Sequence, residues 1–197
     1  MADLTAAIER FCAAFGRDDV DFGTLQCREP VPIDFPEEIG VSPELQLFYS
    51  RIDLNDNPMV GGELYFGVIT LDKLKQALYG WRWIRKGSSA FEEDPNWNKA
   101  WTVFGDRNGD ALIAHTGLPS TPILGSIQGR SFGVADTLAD FLDVLSDCMV
   151  CEEADFGFDT KLDDMSVKPE FLDAVRTRAS TRLSPDCVDG FMHFFFG

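Results

Sequence analysis

The sequence predicts an α+β protein in which a mainly antiparallel sheet packs against helices, with a helical extension at the C-terminus. Three observations predict it. Apolar residues recur at helical spacing near the start, in extended runs through the middle, and at helical spacing again towards the end. The pair Asn108-Gly109 stands between two extended runs, where a tight primed turn needs φ > 0 at both positions. The chain has 197 residues, 45% of them hydrophobic and 12% aromatic, enough to bury a full core without disulfide or metal.

Leu4, Ile8, Phe11, Cys12 and Phe15 form the first helical stripe, with Asp3 as cap and Gly16 as stop. The stretch from Arg17 to Gly40 holds Pro30, Pro32 and Pro36 and reads as irregular or edge strand. Ser42-Pro43 caps and starts a second helix with an inner stripe of Leu45, Phe48, Tyr49 and Ile52. Asn55-Asp56-Asn57-Pro58 and Gly61-Gly62 are turn chemistry, and Glu63 to Thr70 is a strand rich in aromatic and β-branched residues.

Leu71 to Trp83 returns to helical period, and Lys86 to Pro95 reads as a polar loop. Two strands, Ala100 to Gly105 and Ala111 to Thr116, form the hairpin around Asn108-Gly109. Ile123 to Ile127 is a third. Val134, Leu138, Phe141, Leu142 and Leu145 then make an amphipathic helix. Residues 1–151 are therefore expected as one α+β domain. Residues 152–197 are expected as an acidic linker and a C-terminal helical extension docked on the core, with helices from Pro169 to Leu183 and from Pro185 onward.

The net charge of −16 argues against nucleic acid, because a duplex carries one phosphate charge per roughly 1.7 Å and would repel so acidic a surface. The basic cluster Arg82, Arg85, Lys86, Lys73 and Lys75 is too small to reverse this. Acidic excess favours attraction to basic partners, or simply solubility. Apolar runs fall short of the roughly 20 residues that cross a bilayer, so no membrane span is expected. The start Met1-Ala2-Asp3-Leu4 lacks the pattern of a secretory signal, which places the chain in the cytosol. Cys12, Cys27, Cys148, Cys151 and Cys187 form an odd, irregularly spaced set and read as reduced thiols.

Several local phrases resemble the SUKH superfamily, in particular its cell-wall-synthesis-regulator and immunity branch. They are Pro43-Glu44-Leu45 with Phe48-Tyr49, Gly62-Glu63-Leu64, Gly80-Trp81-Arg82-Trp83, Trp97 to Phe104, Gly109-Asp110-Ala111-Leu112-Ile113-Ala114, Thr121-Pro122-Ile123, Gly129, and Ala135 to Leu142. The resemblance spans residues 40–146, and its order of motifs is more specific than any one of them. It implies an α+β fold with one sheet on helices, no shared enzymatic activity, and binding of a toxin or another protein. Residues from Glu152 onward lie outside the pattern.

The expected function is thus a non-catalytic protein-binding module, an immunity protein that neutralises a cognate toxin, one of basic nuclease type included, or a related regulatory adaptor. Trp83, Glu92, Glu93, Asp94 and Asp106 are the candidate partner-binding residues, and Trp97, Trp101, Gly109 and Asp110 the candidate structural motif. Trp81 continues an apolar stripe and reads as core; Trp83 lies off it and could line a groove. No catalytic residue, metal ligand or cofactor is expected. Asp106, Asn108 and Asp110 alternate like a calcium loop, but glycine stands at the wrong place and Gly117 where a bidentate Glu would be needed. Cys148-x-x-Cys151 lacks the second pair or histidine of a zinc site and reads as oxidation-sensitive thiols. Two rival readings stand: an enzyme using Asp106 and Asp110 near His115, and a homo-oligomer built on Phe191, Phe194, Phe195 and Phe196. The partner is a protein, and the chain itself a monomer or homodimer.

Overall fold

The computed structural model describes residues 3–16, 20–87 and 90–197. It is α+β, with six α-helices and a seven-stranded antiparallel sheet. In chain order the elements are α1 (Leu4–Ala14), β1 (Phe22–Cys27), α2 (Pro43–Arg51), β2 (Ile52–Val60), β3 (Phe66–Val68), a 3₁₀ turn (Leu71–Lys73) and α3 (Leu74–Ala77). There follow β4 (Trp83–Lys86), β5 (Ala90–Glu93), β6 (Trp101–Arg107), β7 (Asp110–His115), β8 (Ile123–Ile127), β9 (Arg130–Ala135), α4 (Leu138–Ala154), α5 (Pro169–Ala179) and α6 (Pro185–Phe196). The large sheet runs β1-β2-β3-β6-β7-β8-β9, and β4-β5 is a separate hairpin inserted between β3 and β6.

Local chemistry sets the helix starts. The carboxylate of Asp3 accepts from the Thr5 amide at 3.0 Å, the Ser42 hydroxyl from the Leu45 amide at 3.1 Å, and the Thr137 hydroxyl from the Asp140 amide at 2.9 Å. Helix α4 is buried on nearly every side, because α1, the sheet and α5 surround it. Even its Asp143 is fully buried, with its carboxylate 2.8 Å from Arg10 Nε of α1 and 3.0 Å from Arg182 Nη1 between α5 and α6. Burial of this carboxylate is tolerable because two guanidinium groups converge on it.

Several expectations from the sequence are corrected. The Asn55–Pro58 turn chemistry makes a bulge inside β2, with Asp56 and Asn57 at φ 57° and 53° opposite Gly23, not a chain reversal. The expected strand at residues 63–70 shrinks to Phe66–Val68, since the Glu63 amide donates to the buried Glu152 carboxylate at 2.8 Å and not to a neighbouring strand. The expected helix over 71–83 stops at Ala77. The Leu78 carbonyl takes three amides, and Gly80 at φ 92° turns the chain into β4. The expected loop at 86–95 contains β5, and Val134 belongs to β9, not to the following helix. Helix α4 runs past the expected boundary at residue 151, and Glu152 is buried inside the fold instead of opening an acidic linker.

The C-terminal helices pack on this core. Phe191, Phe194 and Phe195 are buried, and Phe66 of the sheet meets Phe195 edge-on at 6.2 Å. These phenylalanines are therefore spent within the chain. The entry to α6 is held by Asp136, whose carboxylate accepts from the Ser184 amide at 2.9 Å, the Ser184 hydroxyl at 3.0 Å and the Cys187 thiol at 3.6 Å. Burial raises this carboxyl, but the three donors outweigh it and hold the group below the ordinary carboxylate value.

A depressed folded value means stability that is present above the unfolded carboxyl value and lost as pH falls through the folded one. Asp136→Asn should lower the unfolding free energy by about 1 kcal/mol at neutral pH, discounted for exposure. In urea titrations at stepped pH the gap should close below pH 3.8, the unfolded value, and a gap that stays constant into acid would refute the assignment. The β6–β7 turn supplies a second expectation. Asn108 and Gly109 sit at φ 53° and 87°, so Gly109→Ala should lower stability by about 1 kcal/mol from strain alone, since nothing lies near an added Cβ. Asp106→Asn, which removes the charge but leaves an oxygen to accept from the Gly109 amide at 3.4 Å, should change it by less than about 0.5 kcal/mol.

Candidate functional site

Side chains alternate across a strand, so commitment of one face defines the other. Phe66 and Phe104 point to the helices, and an added Cβ on Gly125 would strike Phe194 of α6. Their neighbours Gly67, Val103 and Ser126 form the floor of a groove of about 1270 Å³ on the opposite face. One wall is the segment between β3 and β6, which folds over the sheet through Ala77, Tyr79, Trp81, Ile84 and Trp97. The other end is closed by two hairpin turns carrying Gly109, Asp110, Gln128 and Gly129.

The walls are aromatic and the polar groups are mainly acidic or amide. Trp97 and Trp101 stack edge to face at 5.4 Å, and Trp101 meets His115 at 6.4 Å. Both indole nitrogens are buried without a hydrogen-bond partner. A buried donor left unpaired costs about 1–3 kcal/mol, so this pair is an expensive feature of the free protein. At the rim, Tyr79 and Phe91 are each half exposed and meet edge to face at 4.9 Å. Tyr65 is exposed beside the floor.

Two carboxylates, Asp94 and Asp106, line the groove, with Asp110 at its hairpin end, together with one ammonium, Lys73, whose Nζ donates to Asn57 Oδ1. Asp94 Oδ1 accepts from the Asn96 amide at 2.9 Å and from Asn96 Nδ2 at 3.2 Å. Arg107 turns away from the groove, with Nη2 donating to the Phe195 carbonyl at 2.6 Å and the guanidinium 5.8 Å from the Phe195 ring. Asp106 thus faces the groove beside Ala111 and Ser126, while Asp110 stands opposite Arg107 on the face turned to α6.

Of the sequence-predicted residues, Asp94, Asp106, Trp97, Trp101, Gly109 and Asp110 come together in the groove. Trp83, Glu92 and Glu93 lie on the β4-β5 hairpin, outside its lining. The Trp83 ring lies under the Arg82 guanidinium at 5.3 Å, Glu93 pairs with Arg82 at 2.8 Å and Glu92 with Lys86 at 2.7 Å. Trp81, read as core, is half buried and lines the groove as well. Tyr65, Tyr79, Met59 and Ile84 were missed. The one signal for them was the break at Tyr79-Gly80, where a helical stripe ends on a glycine.

The constellation required by an enzyme reading is dispersed. Asp110 and His115 stand at opposite ends of β7, roughly 17 Å apart at 3.3–3.4 Å per residue. Among the described residues no group of three or more His, Cys, Asp or Glu is placed to hold a metal ion. Cys148 and Cys151 are buried, and desolvation pushes both thiols up, Cys151 to about 11, so the oxidation sensitivity expected of them is corrected. Among the described residues no helix is long and apolar enough to cross a membrane.

In comparisons with known proteins, no family model, no curated protein and no solved structure matches this chain.

Proposed function

We propose that the chain is a non-catalytic protein-binding module, acting in the cytosol, whose groove receives a segment of a basic partner protein. The observation that carries this reading is the groove itself, open, lined by tryptophan and tyrosine, and carrying the carboxylates of Asp94 and Asp106 against one ammonium. Aromatic side chains combine large contact area with few rotatable bonds, which is why they dominate interface energetics. Lysine and arginine side chains fit this lining in two ways, by pairing with Asp94 or Asp106 and by stacking on the rings.

The net charge of −16 extends the attraction beyond the groove, speeding encounter more than it fixes affinity. Joined with the resemblance to the SUKH superfamily, this makes neutralisation of a toxin, including one of basic nuclease type, the most specific form of the proposal.

The test uses the protein encoded beside this one as the probe, titrated by calorimetry and stopped flow. Binding is expected, with association slowing at least tenfold or so between low and high salt. Tyr79→Ala should weaken affinity about tenfold or more, as a half-exposed aromatic at the rim. Replacing Asp94 and Asp106 by Asn together should act mainly on the association rate. Affinity and rates indifferent to all of these groove changes would exclude the groove as the site, and indifference to salt would remove its electrostatic part.

A further inference from the structure

Away from the groove, two cysteines from different elements meet at the edge of the sheet. Cys27 ends β1, an edge strand, and its thiol donates to the Ile8 carbonyl of α1 at 3.7 Å. Ile8 and Cys12 are one helical turn apart on the same face of α1, which brings the Cys12 side chain to the same place. The Ile8 carbonyl that the Cys27 thiol reaches is also the helical acceptor of the Cys12 amide, and both cysteines line one small cavity between α1 and β1.

Exposure separates this pair from the other cysteines. Cys27 is exposed and Cys12 half buried, while Cys148, Cys151 and Cys187 are all buried. A reagent in solution therefore reaches Cys27 first. Two cysteines gathered around one helical carbonyl need only a local approach of α1 and β1 to bring their sulfurs to the bonding distance of about 2.05 Å.

We propose that Cys12 and Cys27 form a redox-modification site that closes into a disulfide between α1 and β1 when the protein meets a disulfide oxidant. Cys27 loses its proton and attacks one sulfur of the oxidant, breaking that S–S bond and releasing one thiolate. This leaves a mixed disulfide on Cys27. Cys12 then gives up its proton and displaces the remaining oxidant half, forming the Cys12–Cys27 bond. Two protein thiols are oxidised by two electrons, and one molecule of disulfide oxidant is reduced to two thiols. Burial raises the Cys12 thiol, which suits it to the second step, where the mixed disulfide is already held beside it, and not to the first.

The experiment incubates the folded full chain with oxidised glutathione, quenches with acid, and counts thiols in denaturant. Of five free thiols two should be lost, the intact mass should fall by two hydrogens, and peptide mapping should join Cys12 to Cys27. Cys12→Ser should instead keep a glutathione adduct on Cys27, and Cys27→Ser should keep its four thiols, with circular dichroism showing that both variants fold. Five surviving thiols, an adduct that persists on Cys27 of the unaltered chain, or a link between any other pair overturns the proposal.

Discussion

The structure depends on a layer of phenylalanines that fastens one face of the sheet to three helices. Phe66 and Phe104 project from adjacent strands onto Phe141 of α4, at 6.4 and 6.0 Å. Phe104 also meets Phe48 of α2, and Phe66 meets Phe195 of α6. All five rings are fully buried, and their contacts are edge-on, the arrangement that aligns positive ring edges with negative faces. Because strand side chains alternate, fixing this face decides which residues the other face presents. The insertion between β3 and β6 covers that second face only in part, and the groove is what remains open.

The same economy governs charge. Cations in the fold are largely used inside the chain: Arg10 and Arg182 on Asp143, Arg82 on Glu93, Lys161 on Glu63, Arg178 on Asp155. Apart from the buried Asp143 cluster, whose guanidinium partners compensate a desolvated charge, such exposed pairs contribute little to stability, so their main effect is to place positive charge where it is neutralised. The acidic excess is left to face solvent and the groove. A field of one sign concentrated over a concave surface steers oppositely charged molecules towards it.

Much of this architecture was legible in the sequence, where local chemistry and tertiary demand agree. The capped starts at Asp3, Ser42 and Thr137, the primed turn at Asn108-Gly109, and the stripe of α4 all follow from side chains that act on their own backbone or bury one face. Legibility failed where a distant residue decides. Glu152 takes the Glu63 amide across the fold and shortens β3, a contact between positions 89 apart that no local pattern announces. The second primed turn, Gln128-Gly129, lacks the asparagine that marks the first, so β9 went unseen and its Val134 was read as helix. For the groove, tryptophans and carboxylates stood out by type. Tyr65 and Tyr79 did not, because only the folding of the insertion over the sheet gives them a common neighbour.

The groove and the C-terminal extension are joined through one residue. Arg107 lies in the hairpin whose Asp106 faces the groove, yet its guanidinium, opposite Asp110, reaches the Phe195 carbonyl and ring on α6. A guanidinium is half desolvated there, a cost met by the hydrogen bond and by stacking on the ring. The position of Asp106 in the groove is therefore set in part by a helix that lies outside the span resembling the SUKH superfamily. Asp136, which fixes the entry to α6, belongs to the same chain of dependence, because a shift of α6 moves the anchor of Arg107. The extension acts as a brace for the groove, so its role is read from contacts on the far side of the sheet and not from any residue it places in the groove itself.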